Sequence, residues 1–282
     1  MYRLPFDVSP FFRPLALGLA GIGAIFAAPL FAQGDLLVAP TRVIIDNRGT
    51  AEVVLSNIGD VEDTYRITAQ LKRMTPDGKL EPVDDATADA TEKAAEDMIR
   101  YFPRQVVLPP GQPQVLRVTA RPLADLPDGE YRIHLAFNGL PKVPTVGDEP
   151  QAGADQQIKI QLIPVYSITI PIIVRKGNLE ATAAISNPHI VQDADGPVFE
   201  LDMARSGTAS VFGEIRIIKP GQSDPVFLAR GIAIYPELTH RSLTLPLTPE
   251  QAAAMKGPIK VEYRELPENG GKLLASVEGS LG

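Results

Sequence analysis

Residues 158–174 read Ile-Lys-Ile-Gln-Leu-Ile-Pro-Val-Tyr-Ser-Ile-Thr-Ile-Pro-Ile-Ile-Val, and every even position except Pro164 carries a large apolar side chain. Side chains of a strand alternate between its two faces, so these even positions share one face. The pattern predicts a strand about three times longer than the usual five or six residues. Odd positions such as Lys159 and Thr169 are polar, which favours a strand that is buried on one side only. A central strand buried on both sides is the alternative, and its odd positions would be apolar too.

Short alternating runs cut by turn signals continue on both sides of this stretch. Upstream, Leu36–Ile45 is the first run and Tyr131–Phe137 is the last. The seven runs after residue 176 are Leu179–Ile185, Phe199–Arg205, Ser210–Ile218, Pro225–Tyr235, Ser242–Leu247, Ile259–Glu265 and Lys272–Glu278. Seven short strands are typical of one immunoglobulin-like sandwich. The sequence therefore predicts an all-β fold with two domains, residues 33–175 and 176–282.

Three local patterns refine this prediction. Residues 84–100 are rich in Ala, Asp and Glu and contain no Gly or Pro, and we interpret them as an exposed connection, with a short helix as the alternative. Thr248–Lys256 predicts a short helix, because Thr248 and Gln251 have capping-box spacing. Tyr131, directly after Asp128-Gly129-Glu130, is typical of a tyrosine corner.

The N-terminal residues predict an export signal rather than part of the fold. Leu15–Ala28 is an apolar run shorter than the ~20 residues that a spanning helix needs, and small residues lead to a cleavage site after Ala32. A signal peptide over residues 1–32 is therefore favoured over a membrane anchor. Cleavage would leave an exported protein outside the cytoplasm, with no integral membrane segment.

Composition argues against several classes of function. The formal net charge of the chain is −7, so nucleic acid is an unfavourable partner. There is no cysteine, which excludes disulfides and thiolate chemistry. The three histidines have no metal-ligand spacing, and no nucleophile or phosphate-binding motif is present. The sequence thus predicts a binding protein with no cofactor and no metal, and not an enzyme.

Several segments together resemble one family, the PapD-like periplasmic chaperones of pilus assembly, in their archaic or spore-coat-U-type branch. The segments that carry the resemblance are Val38–Asp46, Tyr101–Gln112, Leu126–Arg132, Arg205–Gly213 and Gly231–Tyr235. Their order and spacing cover essentially the whole mature chain.

The resemblance implies two immunoglobulin-like domains in an L or boomerang shape, located in the periplasm. It implies pilin subunits and an outer-membrane usher as partners, and a long strand that is lent to complete the open core of a subunit. Self-association through the same edge strand is left open. The competing hypothesis is a tandem immunoglobulin-like adhesion or surface-binding module that binds through loops at the domain ends.

The resemblance also implies a set of subunit-binding residues. Arg42, in the pair Thr41-Arg42, would hold the C-terminal carboxylate of a subunit. The donor side chains would be those of Ile158, Ile160, Leu162, Pro164, Tyr166 and Ile168. The family has a lysine as second anchor, whereas this chain has Pro171 there. Thr169 or Arg175 could replace the lysine, and the sequence does not decide between them.

Overall fold

The computed structural model describes residues 35–141 and 165–282. The predicted signal peptide, residues 1–32, and the predicted donor residues Ile158, Ile160, Leu162 and Pro164 lie outside these ranges. The described strands up to residue 176 are β1 (Leu36–Ala39), β2 (Val43–Asp46), β3 (Gly49–Asn57), β4 (Asp63–Gln70), β5 (Lys72–Met74), β6 (Leu80–Pro82), β7 (Ile99–Phe102), β8 (Gln105–Leu108), β9 (Gln114–Ala120), β10 (Gly129–Gly139) and β11 (Ser167–Lys176).

Two sheets of these strands enclose the N-terminal core. One has the order β1-β3-β9-β7 and the other β2-β11-β10-β4-β8, while β5 and β6 form a separate hairpin. Alternate residues of the strands are buried, such as Leu55 on β3, Leu116 on β9 and Ile172 on β11, and all belong to one apolar cluster. At the start of β10, the Tyr131 hydroxyl donates to the carbonyl of Pro127 at 2.7 Å. The predicted tyrosine corner is thereby confirmed.

Residues 84–100 contain a helix, so the favoured interpretation as an exposed connection is wrong. Helix α1 spans Ala90–Met98. Asp89 caps it, because the Asp89 carboxylate accepts from the backbone N–H of Glu92 and the Glu92 carboxylate accepts from the N–H of Asp89. Ala95 and Met98 are buried in the N-terminal core. The Asp89–Glu92 capping box and the two buried apolar residues together stabilise this helix, although the rest of its surface is polar.

The described residues after 176 form a second sandwich. Its strands are β12 (Ala181–Asp193), β13 (Gly196–Gly207), β14 (Val211–Ile218), β15 (Phe227–Ile234), β16 (His240–Pro246), β17 (Gly257–Arg264) and β18 (Leu273–Leu281). They make the sheets β12-β13-β16 and β15-β14-β17-β18, the three-plus-four arrangement of an immunoglobulin-like sandwich.

Helix α2 (Pro249–Met255) follows the predicted cap Thr248, with Gln251 completing the capping box. The two sandwiches confirm the predicted all-β fold. The predicted domain border after residue 175 falls at the end of β11 and stays a prediction.

Candidate functional site

Strand β11 has two halves with different neighbours. Strand β10 pairs antiparallel with β11 from Ser167 to Lys176. Strand β2 pairs with it in parallel only from Ile172 to Arg175. Within the described residues, the segment Ser167–Pro171 therefore has no strand on the β2 side. An unpaired strand edge of this kind is a template for another chain.

The even-numbered side chains of β11 enter the core of their own sandwich. Ile170, Ile172 and Val174 are at most 2% exposed in the N-terminal core, and Ile168 packs against that core partly buried. Tyr166, just before the strand, is 41% exposed. The two predicted donor residues that the structure describes thus differ, since Tyr166 is accessible and Ile168 is largely committed to its own sandwich.

The odd-numbered face of β11 departs from the predicted one-sided polarity. Ile173 is fully buried, in a cluster with Met74, Ala233 and Tyr235. Ala233 and Tyr235 come from the second sandwich, which covers this end of the strand. The prediction of a strand buried on one side is therefore wrong at Ile173. It was drawn from local alternation, which carries no information about packing against a distant part of the chain.

Arg42 lies between the two sandwiches. Its Nη2 donates to Ser210 Oγ at 2.9 Å and its Nη1 donates to the Tyr235 hydroxyl at 3.2 Å. The guanidinium lies 4.5 Å from the ring centroid of Phe212, a cation–π distance. Its Nε is buried and has no hydrogen-bond partner among the described residues. The side chain is thus held in place while part of its donor capacity stays unused.

Arg42 opens onto a cavity of about 300 Å³, which we call the Arg42 cavity. Thr41 and Pro171 line it together with Arg42, so the cavity joins the predicted Thr-Arg pair to the unpaired half of β11. The remaining wall residues are Met74, Gly78, Leu80, Phe212, Gly231, Ala233, Tyr235 and Arg241. Neither Thr169 nor Arg175, the two candidates for a second anchor, belongs to this wall.

A buried carboxylate orients Arg42 from behind. Glu130 Oε2 accepts from the backbone N–H of Ser210 at 3.1 Å and from the Ser210 hydroxyl at 2.9 Å. The same oxygen accepts from Arg175 Nε at 3.2 Å, so Arg175 is occupied by an ion pair. Ser210 connects Glu130 to Arg42, because the Ser210 hydroxyl oxygen also accepts a hydrogen bond from Arg42. The chain Arg42–Ser210–Glu130 fixes the direction of the guanidinium by short, charge-assisted bonds.

Arg132 of β10 is a second tie between the sandwiches. It is nearly buried and donates to Glu237 at 2.7 Å and to the carbonyl of Lys72 at 2.9 Å. Its guanidinium lies 3.5 Å from the ring centroid of Tyr235. Arg42 donates to the hydroxyl of the same tyrosine. Tyr235 therefore contacts Arg132 through its ring and Arg42 through its hydroxyl. Sequence reasoning singled out none of these partners, although Tyr235 ends one of the segments that resemble the chaperone family.

Comparisons with known proteins give matches among solved structures only. No family model and no curated protein matches the chain. The chaperone–tip adhesion subunit complex CsuC–CsuE of Acinetobacter baumannii Csu pili shows 13% identity over 88% of this chain and 99% of that chain, with a TM-score of 0.44. The CupB2 chaperone of Pseudomonas aeruginosa shows 14% over 87% and 100%, with a TM-score of 0.44. The Salmonella enterica SafA pilin–SafB chaperone complex shows 15% over 88% and 97%, with a TM-score of 0.45.

The chain is therefore similar to solved pilus-assembly chaperones. The helices of the described residues are all too short or too polar to cross a membrane. The function proposed below rests on the geometry of Arg42 and β11.

Proposed function

We propose that this protein is a periplasmic chaperone that binds pilus subunits by donor-strand complementation, in which its own strand completes the open core of the subunit. It then delivers the subunits to an outer-membrane usher. The observation that carries the proposal is the edge of Ser167–Pro171 that no strand among residues 35–141 and 165–282 covers on the β2 side, and Pro171 of this segment lines the Arg42 cavity. A subunit strand that pairs with this edge would bring its chain end within reach of the Arg42 guanidinium.

The sequence upstream of β11 supplies apolar side chains suited to a donor strand. In the sequence, Ile158, Ile160 and Leu162 continue the even-numbered apolar pattern of β11. A strand added to an exposed edge gains backbone hydrogen bonds, and its alternate side chains fill pockets of the partner. Each fully buried Ile or Leu contributes roughly 1.5–3 kcal/mol. Three such side chains would contribute roughly 4.5–9 kcal/mol, from which the cost of association is subtracted.

Arg42 suits the role of register setter for the incoming strand. A guanidinium can bind both oxygens of a carboxylate, and a partly buried one binds more strongly than an exposed one. Its unpartnered Nε and its fixed orientation by Ser210 support this role. A terminal carboxylate at Arg42 would place the subunit's last strand at a single register along β11.

Co-expression with an exported pilin encoded beside this chain tests the proposal. We expect a stable one-to-one complex with the unchanged chain. The double change Ile160→Asp with Leu162→Asp should abolish it, because two carboxylates would have to enter an apolar groove. The matched control places the same two aspartates on the polar face, as Lys159→Asp with Gln161→Asp, and should leave the complex intact. If both double variants capture the pilin equally well, donor-strand complementation by this segment is refuted.

A further inference from the structure

The Arg42 cavity holds a second guanidinium, that of Arg241 on β16. Its described wall contains two arginines and neither an aspartate nor a glutamate. Two cations that share one cavity without a carboxylate repel each other. An anion bound in the cavity would relieve that repulsion.

Both sandwiches hold Arg241 in this position. Its Nη1 donates to the carbonyl of Ala233, while its Nε is buried without a partner among the described residues. The next residue, Ser242, donates its backbone N–H to the carbonyl of Pro76 at 2.8 Å. Gly78 packs directly on the guanidinium, since a Cβ there would lie 2.2 Å from Arg241 Nε. Gly78 also has a φ of +83°, a conformation that favours glycine, so the turn leaves room for this arginine.

Two acids close to the arginines, Asp77 and Glu130, are engaged elsewhere. Asp77 pairs with Lys79 at 2.6 Å, and Glu130 reaches Arg42 only through Ser210. In the described part of the chain, neither Arg42 nor Arg241 has a carboxylate within ion-pair distance. Burial also lowers the pKa of Arg241, although Tyr263, Tyr235 and Asp77 oppose the shift. The unbound cavity therefore destabilises its own charges.

We propose that Arg241 is the second anchor for the C-terminal carboxylate of a bound polypeptide and acts together with Arg42. This inference rests on the proposed function. It assigns the second cation to Arg241 of the second sandwich. The sequence had offered Thr169 or Arg175, both on β11, for this role. Pro171, which lines the same cavity, then needs no charge. The carboxylate would connect residues of both sandwiches at once.

Peptide binding tests the assignment directly. The probe is a synthetic peptide of the pilin's final strand, prepared once with a free C-terminal carboxylate and once as the amide. The unchanged protein should bind the carboxylate form about tenfold to a hundredfold more tightly, the range for charged hydrogen bonds. Arg241→Gln and Arg42→Gln should each remove most of that preference, so that the ratio of the affinities for the two peptide forms falls towards one.

Two further variants serve as controls. Arg117→Gln makes the same change at an exposed ion pair with Glu52 and should keep the full preference. Arg241→Lys keeps the charge but loses the planar fork, so it should keep a reduced preference. Thermal unfolding of each variant separates loss of binding from loss of folding.

The outcomes distinguish the inference from the function on which it rests. If Arg42→Gln removes the preference and both Arg241 variants retain it in full, Arg241 is no anchor. If the unchanged protein binds neither peptide and captures no pilin, the proposed function fails. Equal affinity for the two peptide forms, with thermal stabilisation by inorganic phosphate that depends on Arg241, would assign the cavity to a free anion and overturn the proposal.

Discussion

Replacing His134 with leucine should make the stability of the protein less sensitive to mild acid. His134 lies on β10 and is 1% exposed, and neither ring nitrogen has a hydrogen-bond partner in the described part of the chain. Burial lowers the pKa of His134 to about 3, and the positive charges of Arg132, Lys72 and Arg42 act in the same direction. The folded protein therefore keeps this imidazole neutral down to about pH 3.

The sign and size of the effect follow from proton linkage. The unfolded chain binds a proton at His134 below its ordinary pKa of 6.5, whereas the folded chain does not until about pH 3. Between these values the unfolded state is favoured increasingly as the pH falls. The contribution of His134 is a loss of about 2 kcal/mol in the free energy of unfolding between pH 7 and pH 5. Leucine has no proton to bind, so His134→Leu should abolish this part of the loss.

Urea unfolding followed by circular dichroism at pH 7 and pH 5 measures the effect. The wild type should lose about 2 kcal/mol more than His134→Leu over this interval. All other titrating groups are present in both proteins and cancel in the comparison. The same substitution at the exposed His240 controls for the loss of a histidine as such. If the wild type and His134→Leu lose equal stability, the buried neutral state of His134 is refuted.

Three further predictions concern the elements that hold the site. Ile172→Ala removes a fully buried side chain of β11 and should lower the free energy of unfolding by about 2–5 kcal/mol in urea; a loss below about 1 kcal/mol would contradict its place in the core. Tyr131→Phe deletes the hydroxyl bond to Pro127 and should cost about 1 kcal/mol by the same assay, whereas no loss would mean that the corner is unimportant. Gly213→Ala would place a Cβ 1.8 Å from the carbonyl oxygen of Arg264, so it should lower the melting temperature and cost about 1–3 kcal/mol or more; an unchanged melting temperature would refute this close approach of β14 and β17.

Local sequence signals predicted much of the second sandwich. All seven of its strands and helix α2 were predicted from alternation and from the Thr248–Gln251 spacing, because each of these signals lies within a few residues. The same holds for the Tyr131 corner, whose partner is four residues away. Helix α1 was only the alternative interpretation of residues 84–100, because their composition is mostly polar and two buried residues, Ala95 and Met98, give little apolar periodicity.

The candidate site was predictable only in part. Arg42 and Pro171 of β11 line one cavity, while the anchoring role that the resemblance implies for Arg42 stays a prediction. The hydrogen-bond partners of Arg42, Ser210 and Tyr235, lie 168 and 193 residues away in the sequence. Arg241 and the buried odd face at Ile173 depend on the same contact between sandwiches. Single-sequence periodicity reports which face of a strand is apolar, but not which distant surface covers it.

Amide hydrogen exchange, compared between the free protein and its complex with a pilin, is the measurement closest to donor-strand complementation itself. We expect those amides of the segment 165–170 that point away from β10 to exchange at least about tenfold more slowly in the complex, because a subunit strand would accept their hydrogen bonds. Amides of Ile172–Val174, which β2 and β10 already flank, should be protected in both states. A stable complex in which the exchange of residues 165–170 is unchanged would show that the pilin binds elsewhere and would contradict the account.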